Sequence, residues 1–177
     1  MLVRNLQLGR SQFFDKPSKQ TQNKEQRMQT HTTNDVSHTV DQLNSFLRGE
    51  LSAVESYRLA LEHLEQSELR ATLVQCSRSH QERARLLTEA IVGRGGEPAQ
   101  SSGAWGALVR IIERSALAIS EGAAVAVLEE GEDHGRDDYL RDIDGLEPTA
   151  RQLVEYAILP EQRRTHDTVK AVKHSLS

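Results

Sequence analysis

Apolar side chains in this chain recur at alternating spacings of three and four residues, a period that suits a helix with one buried face and little else. Leu43, Leu47, Val54, Tyr57, Leu61 and Leu64 form the first such stripe, with Glu50 standing inside it. A second reads Leu69, Leu73, Cys76, His80, Ala84, Leu87 and Ile91. The third carries Val125, Leu128, Glu132, Gly135, Tyr139 and Ile143, and the fourth Leu153, Ile158, His166, Val169 and Val172. Helices of this kind bury their stripes against one another, so the expected fold is all-α, an antiparallel four-helix bundle.

Local signals set the expected boundaries. Asp35 or Thr39 can cap the first helix, and Ser67 the second, which Gly93, Gly95, Gly96 and Pro98 then stop. The stretch GGEPAQSSGAWGA is a linker leading into a short extra helix from about Trp105 to Ala118, in the connection between bundle helices two and three. Ser120 caps the third helix, with Glu121 in its first turn, and Gly145 ends it. Pro148 opens the fourth helix, which runs to about Ser175. Pro160 lies inside that helix, where its missing N–H predicts a kink or a local bulge.

Charge divides the chain unevenly. Up to Thr30 there are six Lys and Arg against Asp15 and Glu25, so that part carries +4 and the remainder, against a total of −4, carries −8. The body of the protein is therefore not expected to bind nucleic acid. Residues 1–38 are basic and rich in Gln, Thr, Ser and Asn, and disorder is expected there, with the bundle occupying residues 39–177. No apolar run approaches the roughly 18 residues of a membrane span, and Arg4, Asn5, Gln7 and Arg10 interrupt any secretory signal. Cys76 is the single cysteine, which permits no internal disulfide and suits a reducing, cytoplasmic compartment. Met28 opens the segment that runs into the periodic region and is a candidate start codon.

The polar residues inside the stripes carry the functional expectations. Glu50 stands where Leu would pack better, and Glu132 repeats the exception on the third helix. His80 lies on the second stripe, while the fourth helix supplies Glu161 and His166. Carboxylates and imidazoles sent from four helices toward one axis are the arrangement that builds a dinuclear metal site, and such ligands suit iron or manganese, with zinc behind them. The competing reading makes them buried polar groups held by hydrogen bonds or by an arginine such as Arg163 or Arg78. Gly49-Glu50 with Tyr57 seven residues after the Glu recurs as Gly131-Glu132 with Tyr139, so helices one and three read as an internal repeat. Each tyrosine is expected to reach a polar partner with its hydroxyl. Glu129, Glu130, Asp133, Asp137 and Asp138 read as a charged outer surface. Trp105, Leu108, Ile111 and Ile112 offer the short helix a face for a homodimer.

LNSFLRGELSAVESYRLAL, GGEPAQSSGAWGA, AVLEEGEDHGRDDY and LPEQRRTH together resemble a family of uncharacterised bacterial ferritin-like proteins, a domain of unknown function built as a four-helix bundle, over the chain from about Val40 onward. The chain is more distantly similar to rubrerythrin and ferritin, whose dinuclear sites take a Glu from two helices and a Glu-x-x-His from the other two. That resemblance implies a ferritin-like bundle concerned with metal handling or stress, with Glu50 and Glu132 as the single glutamates and His80 and His166 as the histidines. It also exposes a departure: Ser77 and Arg163 stand where the two bridging glutamates belong, which removes the basis for oxidase or ferroxidase activity. Glu161 is one substitute, if an added residue after Pro160 turns it inward; an Arg163 guanidinium pairing with Glu50 or Glu132 in place of a metal is the other.

Overall fold

The computed structural model describes residues 19–62, 64, 67–103 and 120–176, and every regular element among them is helical. The chain divides into two units, Met1–Thr33 and Asn34–Ser177. Helix α1 spans Lys19–Glu62, α2 Ser67–Val92 and α3 Glu121–Asp142. A 3-10 turn, Ile143–Gly145, leads to α4, Pro148–Leu153, then a π-helical turn, Val154–Ile158, and α5, Leu159–Ser175. None of the described helices is long and apolar enough to cross a membrane.

The starts of α2, α3 and α4 and the end of α2 lie where the sequence signals place them. Ser120 accepts from Ala123 N at 3.3 Å, and Pro148 sits in the first turn of α4. The start of α1 differs. Asp35 and Thr39 fall inside it, because no Gly or Pro interrupts the chain between Pro17 and Gly49. Thr39 serves another corner instead: its hydroxyl accepts from Glu147 N at 3.1 Å, while the Glu147 carboxylate caps α4 and takes Arg94 Nε at 3.0 Å. The linker is tied to α1 through Asn44, which donates to Glu97 O and accepts from Ala99 N. The expected short helix around Trp105, with Leu108, Ile111 and Ile112, falls in residues 104–119, outside the described residues.

Four helical runs build two apolar clusters, and each run contributes to both. One cluster gathers Leu43 and Leu47 from α1, Leu87 and Ile91 from α2, Tyr139 from α3, and Ala150, Val154 and Ile158 from the last run. The other takes Tyr57 and Ala60, Leu73 and Cys76, Val125 and Leu128, and Val169 and Val172. The order of these residues fixes direction: α1 is antiparallel to α2 and α3, whereas α2 and α3 run the same way and are joined by the long connection 93–120. Between the clusters lies a layer of buried polar side chains, among them Glu50, His80, Arg83, Glu132, Gln162 and Thr165.

Pro160 produces the irregularity expected of it, on its N-terminal side. The π turn of Val154–Ile158 precedes it and inserts one residue into the helical register. That insertion turns Gln162 and Thr165 inward, in step with Ile158, Val169 and Val172. Glu161 is left half-exposed.

Two glycines give opposite expectations. A Cβ at Gly96 would lie 2.5 Å from Val40 Cγ1 and 3.0 Å from Ile91 Cγ2, whereas one at Gly49, inside α1, would meet nothing within 4 Å. Gly96→Ala should therefore lower stability by about 1–3 kcal/mol through overpacking. Gly49→Ala should raise it by roughly 0.5–1 kcal/mol through helix propensity. Urea unfolding of the two variants checks both signs.

Candidate functional site

Burying a carboxylate in a bundle is costly unless charge and hydrogen bonds compensate it, so the polar layer can be read as a question of where each oxygen finds a partner. Glu50 Oε1 accepts from Arg83 Nε at 2.8 Å and from the Tyr139 hydroxyl at 2.7 Å, and its Oε2 faces His80 Nδ1 at 2.7 Å. Glu132 Oε1 accepts from the Tyr57 hydroxyl at 2.6 Å and faces His80 Nε2 at 2.9 Å. Its Oε2 takes Gln162 Nε2 at 2.8 Å and Thr165 Oγ1 at 2.9 Å. Every oxygen of the two buried carboxylates is thus engaged.

His80 stands between the carboxylates with a ring nitrogen toward each, a geometry that satisfies both oxygens when the ring carries two protons. Burial and the neighbouring Arg83 push its pKa down, but Glu132 and Glu50 outweigh them and leave it raised above 6.5. Burial pushes the Glu50 carboxyl up; Arg83 and then His80 more than reverse this and hold it at about 2. Glu132 is lowered in the same way, burial being opposed by His80 and Tyr57. The phenols of Tyr57 and Tyr139 are driven well above their ordinary range by burial and the carboxylates they face, so both remain donors. With His80 protonated, the two carboxylates, the guanidinium and the imidazolium sum to zero charge.

Arg83 is the residue around which the others close. Besides Glu50 it reaches Ser79 Oγ at 3.0 Å and Gln162 Oε1 at 2.9 Å. Its Nη2 also lies 2.6 Å from Nδ1 and 3.3 Å from Nε2 of His80. Approach along one ring nitrogen's lone pair would leave the other more than about 4 Å away, so these distances put the guanidinium over the imidazole face. The ring's edge therefore stays directed at the carboxylates. Tyr57 packs on the opposite end of this arrangement, its ring centroid 5.0 Å from that of His80.

The internal repeat has a physical meaning here. Each tyrosine bonds the glutamate of the other helix: Tyr57 of α1 reaches Glu132 of α3, and Tyr139 of α3 reaches Glu50 of α1. Seven residues span about 10 Å of helix, so two antiparallel copies of Glu-x6-Tyr meet with each Tyr beside the opposite Glu.

Of the expected site residues, the structure brings together Glu50, His80 and Glu132. Glu161 does not join them; it accepts from Ser79 Oγ at 3.0 Å and from Arg164 at the surface. His166 does not join them either: largely buried, it lies 2.9 Å from Asp133 Oδ1 of α3 and 3.2 Å from Asp167 Oδ1. The arginine in the centre is Arg83, and Arg163 and Arg78 are both exposed. Asp138, expected outside, is 7% exposed and pairs with Arg141. Arg83, Gln162 and Thr165 are the residues that the sequence reading passed over. Their signal was position: 76, 80, 83, 87 and 158, 162, 165, 169 continue the three-and-four spacing. Among the described residues, no three His, Cys, Asp or Glu side chains are arranged to hold a metal ion.

Comparison with known proteins adds no activity to this reading. No curated protein and no solved structure matches the chain. A family defined as a domain of unknown function, DUF2383, matches residues 38–144, which include residues 38–62 of α1, all of α2 and α3, and thus Glu50, His80, Arg83 and Glu132, but not α4 or α5. With more than half its length matched, the chain belongs to the DUF2383 family.

Proposed function

We propose that this protein is a structural or interaction module with a ferritin-like layout, in which a metal-free ionic network occupies the place of a dinuclear centre. The observation that carries the reading is the His80–Arg83 pair: the imidazole stands between the two carboxylates, where a bridging cation would lie, and the guanidinium lies on Glu50 and over the ring. The inward pairs on the second and last runs are His80 with Arg83 and Gln162 with Thr165, each three residues apart. That is the placement of the Glu-x-x-His pairs of a dinuclear bundle, with the single glutamates supplied by Glu50 and Glu132. Parallel α2 and α3 joined by one long crossover support the same layout. The side chains in those positions do not fit an ion: both bridging carboxylates are replaced by His80 and Gln162, and each oxygen of Glu50 and Glu132 already accepts a protein donor. A role in metal handling would require those contacts to be broken. The network instead ties four helical runs into one register, the best-attested use of buried polar groups.

Metal analysis tests this directly: protein purified without a histidine tag should hold less than about a tenth of an equivalent of iron, manganese or zinc. A stoichiometric ion would overturn the reading.

Removing Arg83 leaves Glu50 with only His80 to oppose its buried charge, so Arg83→Ala should cost about 3–5 kcal/mol, with part of the loss restored by added guanidinium but not by divalent metal. Urea midpoints with each additive separate the two outcomes.

Stability should peak in mildly acidic solution. His80, raised above 6.5, contributes fully below that value and loses its contribution as pH climbs through its folded pKa. Glu50, lowered from 4.5 to about 2, contributes above 4.5 and loses its contribution as pH falls toward 2. The urea midpoint should therefore form a plateau between these limits and decline on both sides. His80→Leu should flatten the alkaline decline while leaving the acid one.

A further inference from the structure

The seam between α1 and α3 is made of small residues. Gly49 and Ala53 face Gly131 and Gly135, and the backbones leave a crevice of about 40 Å³ that reaches Ser56, Tyr57, His80 and Glu132. A second crevice of about 30 Å³ shares the same four small residues and His80 and continues toward Tyr139. Small residues alone make a gap, and two further observations distinguish this one. Ser56 is 4% exposed, lines the crevice, and its hydroxyl has no hydrogen-bond partner among the described residues. A buried hydroxyl left in that state is costly, and native structures almost always satisfy it with protein or a bound molecule. Gly49, in turn, sits inside a 44-residue helix where a methyl group would meet nothing within 4 Å. Packing does not require glycine there, and helix propensity opposes it. The space itself is what the residue preserves.

The chemistry of the walls selects the occupant. All oxygens of Glu50 and Glu132 are engaged, the His80 ring nitrogens face them, and Arg83 donates to Glu50, Ser79 and Gln162. The charges cancel, so an ion of either sign would enter without compensation. Alongside Ser52 and the exposed His134, the walls offer the Ser56 hydroxyl, as donor and acceptor, and the Tyr57 oxygen as acceptor, its own proton going to Glu132. A volume of 40 Å³ accommodates two or three water-sized groups. We infer that this seam is a binding site for a small neutral hydroxylic molecule, a water pair or an alcohol of two or three heavy atoms, held by Ser56 Oγ and Tyr57 Oη. The inference relies on the metal-free reading only for the neutrality of the guest.

Crystal structures of the full chain, in aqueous medium and after soaking in methanol, test it together with water-to-protein and methanol-to-protein Overhauser transfer in solution. The expected result is an ordered guest within hydrogen-bonding distance of both oxygens, and transfer to the Ser56 and Tyr57 protons. Ser56→Ala and Gly49→Ala, which leave the network intact, should each reduce that transfer at least about five-fold, a loss of one hydrogen-bond partner or of the space it needs. Methanol replacing water in both media identifies a ligand pocket. Methanol seen at crystal concentration only, with water transfer in solution, identifies a hydration site; either supports the inference. It is overturned if the crevice is dry or closed with Ser56 bonded to a backbone carbonyl, or if formate enters in preference to methanol. Formate binding to a metal-free protein would sink the guest's class alone, whereas a bound metal would sink the reading of the network.

Discussion

Two carboxylates buried between apolar clusters are a debt of several kcal/mol each in desolvation, and the fold is organised around Arg83 and His80, which cancel their charge. Neither cation can act from a distance. Arg83 has to approach the imidazole from its face so that the ring's edge remains free for Glu50 and Glu132, and this requires both residues on one face of α2, three positions apart. Once that pair is fixed, the depth of α2 in the bundle and its rotation about its own axis are fixed with it. A shift of one residue would carry both cations off the carboxylates. Apolar stripes alone tolerate such slips, since Leu and Ile substitute for one another at modest cost.

The irregularities elsewhere follow from serving this layer. The last run must present Gln162 to Glu132 and Arg83, and Thr165 to Glu132, while keeping Ala150 and Val154 in one apolar cluster and Val169 and Val172 in the other. The π turn at Val154–Ile158 supplies the one-residue change of register between those tasks. Pro160 reinforces it, because a residue without an N–H costs least where the regular hydrogen-bond ladder is already broken. On the other side, the small residues of α1 and α3 let the two backbones carrying Glu50 and Glu132 present their carboxylates to the same imidazole.

How much of this the sequence displays depends on the kind of signal. The stripes around Leu43, Leu73, Val125 and Val169, the cap at Ser120, the first-turn Pro148 and the stop at Gly93 are local, and local chemistry sets them. Glu50, His80 and Glu132 were legible as polar exceptions on apolar stripes. Arg83 and Gln162 occupied equally periodic positions but are residue types that most often mark a solvated face, so spacing lost to composition. His166 drew attention by its chemistry and yet lies one position off the inward row, because the π turn that sets the row involves no residue of distinctive type. The start of α1 was misplaced for a related reason: capping residues at Asp35 and Thr39 signal a helix end only where something breaks the helix, and nothing there does.

The symmetry of the layer and its failure are equally informative. Tyr57 and Tyr139 exchange glutamates across α1 and α3, as expected if a helix pair had been duplicated and folded back on itself. The partner helices do not follow: α2 supplies both cations, and α5 supplies a neutral amide and a hydroxyl in the corresponding places. Glu50 consequently contacts Arg83 and His80 together, whereas Glu132 has the far nitrogen of His80 and otherwise neutral donors, from Tyr57, Gln162 and Thr165. A carboxylate held by neutral donors can lose one of them and remain partly satisfied; one held by a guanidinium and an imidazolium cannot lose either without leaving net charge in the core. The half of the layer nearest α2 is thus the one in which the loss of a single partner leaves a charge unbalanced.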